Sequence, residues 1–315
     1  MGSTLAQSEW HVAGDGAIGM ALAYRLHHHQ SATVTLLTRT HQPDFVDLLY
    51  EPFGEPVVKW SCPTNSQHDG KRKFRRLVIA TKAYSVEKVL QKWSPSLEEG
   101  ATVYFLQNGI GFNVEGLPDS ARSLFVVNGG FTAYLAGRRH VVQSAMKPIW
   151  IGVENGDPSP SSPDLENDLQ TLDAAGFQVR WTPDIVQHRW EKISINAIVN
   201  TQAVIYDCVN GRLLEHPQAS VDIRTMCDEL GSLFKAMSVD IAAEHLHQMT
   251  LSVLEITSKN ICSTLQDYRK GMKRHELEYI NLALLKEARS RGIEMPVHEE
   301  VYARVTELFD QNSEG

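Results

Sequence analysis

Lys192, Asn196 and Asn200 recur at four-residue spacing within Arg189–Gly211, so on one helix they fall in a single row. Ile193, Ala197 and Val204 run beside that row, and Ile195, Ile198, Val199 and Ala203 fill most of the remaining surface. A helix that is apolar nearly all round is a buried one. Burying an ammonium with two carboxamides is costly unless polar groups meet them. Either another segment of the protein or a ligand must therefore face the row. Against a ligand, the Lys192 ammonium would protonate an oxygen as charge develops on it, while the carboxamides orient the reacting molecule. The best carboxylate candidate is Glu276, in His275-Glu-Leu-Glu-Tyr-Ile-Asn281. It stands four residues before Ile280, which predicts that it faces the buried side while Glu278 faces away; an exposed helix carboxylate is the plainer alternative.

A second constellation lies near the other end of the chain. Glu9-Trp-His-Val-Ala13 predicts a short strand, Met20 to Leu26 a helix, and Gly14-Asp15-Gly16-Ala17-Ile18-Gly19 joins them. Strand, G-x-G-x-x-G and helix in that order make a dinucleotide cradle. Gly14 permits the tight turn, Gly16 lets backbone approach a pyrophosphate, and Gly19 lets helix and strand pack closely. The helix N-terminus then offers N–H groups to the phosphates. An NAD-specific cradle carries Asp or Glu about 20 residues further on, for the ribose hydroxyls. Arg39 stands there instead, after the buried strand Thr33–Leu37. A guanidinium suits a 2′-phosphate, so NADP(H) is favoured over NAD, with a solvated strand-end arginine as the alternative.

These residues need elements to hold them. Further buried strands are predicted at 76–82, 101–106 and 123–130, and ligands of open α/β sheets bind beyond the carboxyl ends of such strands. Lys82 and Asn108 occupy two of those ends. Val141-Val-Gln and Ile149-Trp-Ile suggest antiparallel strands closing the sheet, and 41–76 reads as poorly specified strands and loops. After Pro183 the periodicity turns helical, first in the Lys192 stretch and then at about 218–239, 240–262, 273–291 and 299–310. The predicted fold class is α/β. An N-terminal doubly wound Rossmann-type dinucleotide-binding domain, residues 1–182, precedes an all-α C-terminal domain, residues 183–315. Such a pair suggests an oxidoreductase with its active site in the interdomain cleft.

Composition narrows the partners. At 315 residues two domains are the default, and a net charge of -8 disfavours nucleic acid and anionic membranes. Four scattered cysteines without ligand spacing read as reduced thiols of a cytoplasmic protein. The start, Met1 to Ser8, shows no secretory signal, and no apolar run is long enough to span a membrane. His27, His28 and His29 point about 100° apart on a helix and cannot converge on one metal ion, so none is expected. Apolar positions on the terminal helices would serve a homodimer or simply a core.

Five blocks together resemble the ketopantoate reductases, the 2-dehydropantoate 2-reductase family. They are Gly14–Gly19, Ala80-Thr-Lys-Ala-Tyr84, Gln107-Asn-Gly109, Trp190–Asn200, and Ser258–Asp267 with His275–Asn281. The resemblance spans about residue 9 to 309, and its last two blocks are the specific ones. It implies NADPH-dependent reduction of a branched 2-oxo acid in coenzyme A biosynthesis. It implies Lys192 as general acid, with Glu276 positioning it and a substrate hydroxyl. It further implies that Asn108, Asn196, Asn200 and Ser263 bind the substrate, with Asn260 contributing backbone contacts. Arg39 matches the family's 2′-phosphate ligand, and Lys82 a strand-end lysine near the cofactor; Asn108 also falls in the cofactor set. Ser263 and Glu276 rest chiefly on this resemblance. The chain departs from the family pattern at Ser85, at Asn128–Phe131 and at Gln143–Ala145, positions expected near the cofactor cleft, which bears on substrate identity. The rivals are a reductase of another 2-oxo acid and a non-catalytic NADP(H)-binding sensor.

Overall fold

The computed structural model describes residues 8–28, 32–40, 42–66, 72–137, 139–154, 157, 159–160 and 162–314. They fall into two compact units, one within 1–107 and 112–185, the other within 108–111 and 186–315.

The first unit is built on a mixed sheet of eleven strands. In chain order these are β1 (Ser8–Ala13), β2 (Ala32–Leu37), β3 (Phe45–Glu51), β4 (Val58–Asn65), β5 (Phe74–Ile79) and β6 (Leu97–Phe105). Then come β7 (Arg122–Asn128), β8 (Thr132–Gly137), β9 (His140–Ala145), β10 (Ile149–Gly152) and β11 (Val179–Trp181). Their order across the sheet is β11-β10-β7-β6-β5-β1-β2-β4-β3-β9-β8. From β7 to β4 every pairing is parallel, and Ala13 lies level with Leu37 on one side and Ile79 on the other. The carboxyl ends of β1, β2 and β5 therefore emerge side by side. Helices α1 (Ala17–His28), α2 (Val86–Trp93) and α3 (Pro163–Leu172) complete this unit. Central strands such as Leu77-Val-Ile79 are buried throughout, as strands covered on both faces must be.

Two sequence expectations change here. Residues 41–76 are more ordered than expected: β3 and β4 pair antiparallel from Phe45↔Pro63 to Tyr50↔Val58. Val46, Leu48 and Tyr50 are buried, but Phe45 and Leu49 on the opposite face are apolar too, which hid the period-two signal. The strand at 149–151 does close one end, antiparallel to β7, whereas the strand at 141–143 lies at the far end. There β9 runs parallel to β3 and antiparallel to β8. His27 stacks on Trp60 and His28 on Tyr24, so the two rings serve different neighbours; His29 lies outside the described residues, as do Met1 to Gln7.

The second unit is helical: α4 (Ile185–Ile205), α5 (Pro217–Ala236), α6 (Ala243–Ile256), α7 (Ser263–Arg269), α8 (Leu277–Ser290) and α9 (Pro296–Glu314). The Lys192 helix starts earlier than its Arg189–Gly211 reading and stops at Ile205, where Asp207 turns left-handed at φ 44°. The stretch 240–262 is likewise not one helix. α6 ends at Ile256, a turn follows, and the Cys262 thiol sulfur caps α7 by accepting from Leu265 N–H at 3.4 Å. Pro296 is the first residue of α9, where its missing N–H costs nothing. The Glu229 carboxylate accepts the next two N–H groups, from Val297 at 2.8 Å and His298 at 3.0 Å. Among the described residues no helix is long and apolar enough to cross a membrane, and all four cysteines are free thiols.

Candidate functional site

The glycine turn shows what each glycine is for. Gly14 leaves β1 at φ 133°, and a Cβ there would lie 2.9 Å from the carbonyl carbon and oxygen of Ala80. A Cβ on Gly19 would stand 2.0 Å from the Gly14 oxygen. Both glycines are required by the protein's own backbone. Gly16 is different: a Cβ there would meet nothing within 4 Å. It is exposed, as is Asp15, with Ala17 and Ile18 half-buried behind them at the start of α1. The N–H groups of that first turn have no preceding helix carbonyl, so the open surface is one that an anionic phosphate fits.

Two strand ends flank this turn. Arg39 is exposed just past β2 and makes no hydrogen bond or ion pair with the described residues, in a turn held by Thr38 Oγ1 donating to Thr40 O at 3.0 Å. Lys82 is half-buried where the chain leaves β5. The side chain of Gln107 donates to the carbonyls of Ile79 at 2.8 Å and Thr81 at 3.0 Å, bracing that end of the sheet.

In the helical unit the predicted row exists. Lys192 and Asn196 are half-buried and Asn200 is buried, among the buried Ile193, Ala197, Val199 and Val204 of the same helix. None of the three polar side chains has a hydrogen-bond or ion-pair partner among the described residues. Burial lowers the pKa of the Lys192 ammonium from the ordinary lysine value. Among the described residues no carboxylate forms an ion pair with it.

Asn108 belongs to this unit, although it comes soon after β6, past Leu106 and Gln107. Ile110 N–H donates to Tyr279 O at 3.0 Å, and Gly109, at φ 131°, allows the approach. Glu276 is buried and Glu278 exposed, as the spacing suggested, but Glu276 is the N-cap of α8 rather than an interior residue. Asn260 and Ser263 are exposed on and just after the turn between α6 and α7. The carbonyl of Asn260 accepts from Asn210 N–H at 3.0 Å, and Ser263 is the first residue of α7. One residue escaped sequence reasoning: Asn281 is fully buried on α8, and only its place in the block that carries Glu276 could have flagged it.

A family model described as ketopantoate reductase PanE/ApbA matches residues 10–156, and its C-terminal counterpart matches residues 184–308. The chain belongs to this ketopantoate reductase family. It is thereby placed among oxidoreductases. A 2-dehydropantoate 2-reductase of Vibrio cholerae is 28% identical over 303 residues, covering 94% of this chain and 96% of that one. Another, of Yersinia pestis, is 30% identical over 230 residues, covering 72% of this chain and 71% of its own. Among solved structures, the ternary complex of a D-mandelate dehydrogenase with NADH and anilino(oxo)acetate shares the fold at a TM-score of 0.84. It is 19% identical, with 96% of this chain and 99% of that chain covered.

In this ketopantoate reductase relative, the departures from the family pattern all fall in the sheet unit. Gln143 is buried in the first unit, where its Oε1 accepts from Tyr50 Oη and from Arg25 Nε at 3.1 Å and Nη2 at 3.0 Å. Phe131 is buried edge-on against Phe177, with ring centroids 5.0 Å apart. The Asn128 carboxamide closes the turn between them, accepting from Gly130 N–H at 2.9 Å and from Phe131 N–H at 2.6 Å. Gln143 and Phe131 are thus buried within the sheet unit, while Asn128 is half-buried at the carboxyl end of β7. Ser85 closes the short turn after Lys82.

Proposed function

We propose that the protein is an NADPH-dependent reductase of a 2-oxo acid, with 2-dehydropantoate as substrate and pantoate as product. The observation that carries this reading is the row of Lys192, Asn196 and Asn200, polar, partly or wholly buried, and without a hydrogen-bond or ion-pair partner among the described residues. Buried polar groups are ordinarily satisfied, so the row suits a ligand rich in oxygen. When bound, NADPH supplies a hydride to the keto carbon.

Every other step falls to residues of the chain. Lys192 donates a proton to the keto oxygen as that oxygen becomes an alkoxide, which leaves a hydroxy acid and a neutral lysine. Its lowered pKa makes the ammonium a better acid. Glu276 orients Lys192 and a substrate hydroxyl, and Asn108, Asn196, Asn200 and Ser263 hold the hydroxyl and carboxylate, with backbone support at Asn260. The turn Gly14-Asp15-Gly16-Ala17-Ile18-Gly19 receives the pyrophosphate, Arg39 the 2′-phosphate, and Lys82 with Asn108 borders the cofactor. The free thiols suit a reducing, cytoplasmic setting.

The test is NADPH oxidation, followed by absorbance, with 2-dehydropantoate and with a panel of other 2-oxo acids, repeated with NADH. Turnover of 2-dehydropantoate with NADPH well above that with NADH supports the reading in full. Turnover confined to another 2-oxo acid moves the substrate assignment. NADPH binding with no turnover on any 2-oxo acid overturns catalysis in favour of a sensor.

A further inference from the structure

Asn281 presents a puzzle of burial. Its side chain is fully enclosed among α-helical core residues, its Nδ2 donates to the carbonyl of Ala197 at 3.1 Å, and its equally buried Oδ1 has no partner among the described residues. A leucine would occupy similar space with no orphaned acceptor, so a carboxamide is the less favourable choice for the core alone. Its single bond falls at a telling place. Ala197 lies in α4 within the span of the Lys192–Asn196–Asn200 row, next to Asn196. The same carbonyl also accepts from Thr201 Oγ1 at 2.7 Å. Side-chain donors on a helix carbonyl compete with the helix ladder and alter its local direction.

The first turns of α8 thereby hold three things at once. Glu276 occupies the N-cap position, the Tyr279 carbonyl receives Ile110 N–H from the loop that carries Asn108, and Asn281 grips α4 beside Asn196. We propose that Asn281 is a positioning residue of the reductase: through Ala197 it sets the Lys192–Asn196–Asn200 row relative to Glu276. The proposal rests on the function argued above. Loss of the bond degrades the handling of the 2-oxo acid and leaves the cofactor untouched.

The experiment compares Asn281→Leu with the parent enzyme, using NADPH and whichever 2-oxo acid the parent turns over, alongside urea unfolding of both. Asn281→Leu loses the bond and the orphaned acceptor together, so it is expected to fold as stably as the parent. Its KM for the 2-oxo acid is expected to rise about 10-fold with a fall in kcat, the scale of one lost hydrogen bond, while KM for NADPH stays within about twofold. If leucine does not fit, Asn281→Ala makes the same comparison in a smaller side chain. A folded variant with the parent's KM and kcat for the 2-oxo acid overturns the proposal. Equal losses toward NADPH and the 2-oxo acid overturn it as well, since they report general loosening. Absence of turnover by the parent itself sinks the reductase reading and this inference with it, an outcome distinct from either.

Discussion

Ile110 donates its N–H to the carbonyl of Tyr279 at 3.0 Å, and so ties the four residues Asn108–Gly111 to the first turn of α8. Gly109 makes that approach possible, since a Cβ on it would lie 2.7 Å from the same Tyr279 oxygen in a backbone of φ 131°. Gly109→Ala must displace either the loop or the helix. The expected cost is about 1–3 kcal/mol of folding stability, from the strained backbone alone. Because Asn108 moves with the loop, KM for the 2-oxo acid should rise more than KM for NADPH. Urea unfolding and steady-state kinetics check both parts; a variant with parental stability would show that the loop can rebuild its contact elsewhere.

Lys192 should matter to chemistry more than to cofactor binding. Lys192→Ala is expected to lower kcat and kcat/KM together, by roughly 10²–10⁴-fold, the range for loss of a general acid. NADPH affinity, measured by fluorescence titration, should stay near the parental value. Burial lowers the Lys192 pKa, which fixes the sign of two pH effects. Reductase activity should fall as pH rises through that lowered value, below the ordinary 10.5, because the proton donor is lost. Folding stability should move the opposite way across the same window. There the unfolded lysine still binds its proton while the folded one has released it, so unfolding becomes harder as pH rises. A pH–rate profile and pH-dependent unfolding of the parent against Lys192→Ala test the pair. An alkaline limb that survives in the variant would assign it to another group.

Arg39 should distinguish the two nicotinamide cofactors. It is exposed at the end of β2 with no partner among the described residues, so its removal disturbs no contact of the fold. Arg39→Ala should weaken NADPH by about 10-fold or more, the scale of a lost charge-assisted bond of ~1.5–3 kcal/mol. NADH kinetics should barely change. Equal losses for the two cofactors would refute the phosphate contact.

The glycine turn makes a contrast between two alanine substitutions. Gly14→Ala places a Cβ 2.9 Å from Ala80 backbone at φ 133°, so the turn cannot keep its conformation and the thermal midpoint should drop. Gly16→Ala meets nothing within 4 Å and should fold like the parent. Yet it should bind NADPH more weakly, because the methyl stands where the pyrophosphate approaches. Calorimetry and cofactor titration separate the outcomes. Unaltered NADPH affinity in Gly16→Ala would count against this turn as the cradle.

The local arrangements of this protein were legible in its residues. The strand, G-x-G-x-x-G and helix succession, the polar row on an apolar helix, and the burial of Glu276 against the exposure of Glu278 all follow from neighbours a few residues apart. Periodicity over such distances is a property of the chain itself. Where both faces of an element are apolar, as at Phe45 and Leu49 on β3, that signal fades, and the strand became visible only once paired with β4. Other features depend on residues far apart in sequence. Nothing near Gln143 announces that Tyr50 and Arg25 will enclose it, nor near Asn281 that its amide will reach Ala197. Likewise Asn108, next to a strand of the sheet unit, joins the helical one because Ile110 finds the Tyr279 carbonyl. Sequence thus determined which chemical groups are present and which local element carries each. Tertiary structure decided which buried groups satisfy one another and which keep no partner among the described residues, because that choice is made by packing between distant segments.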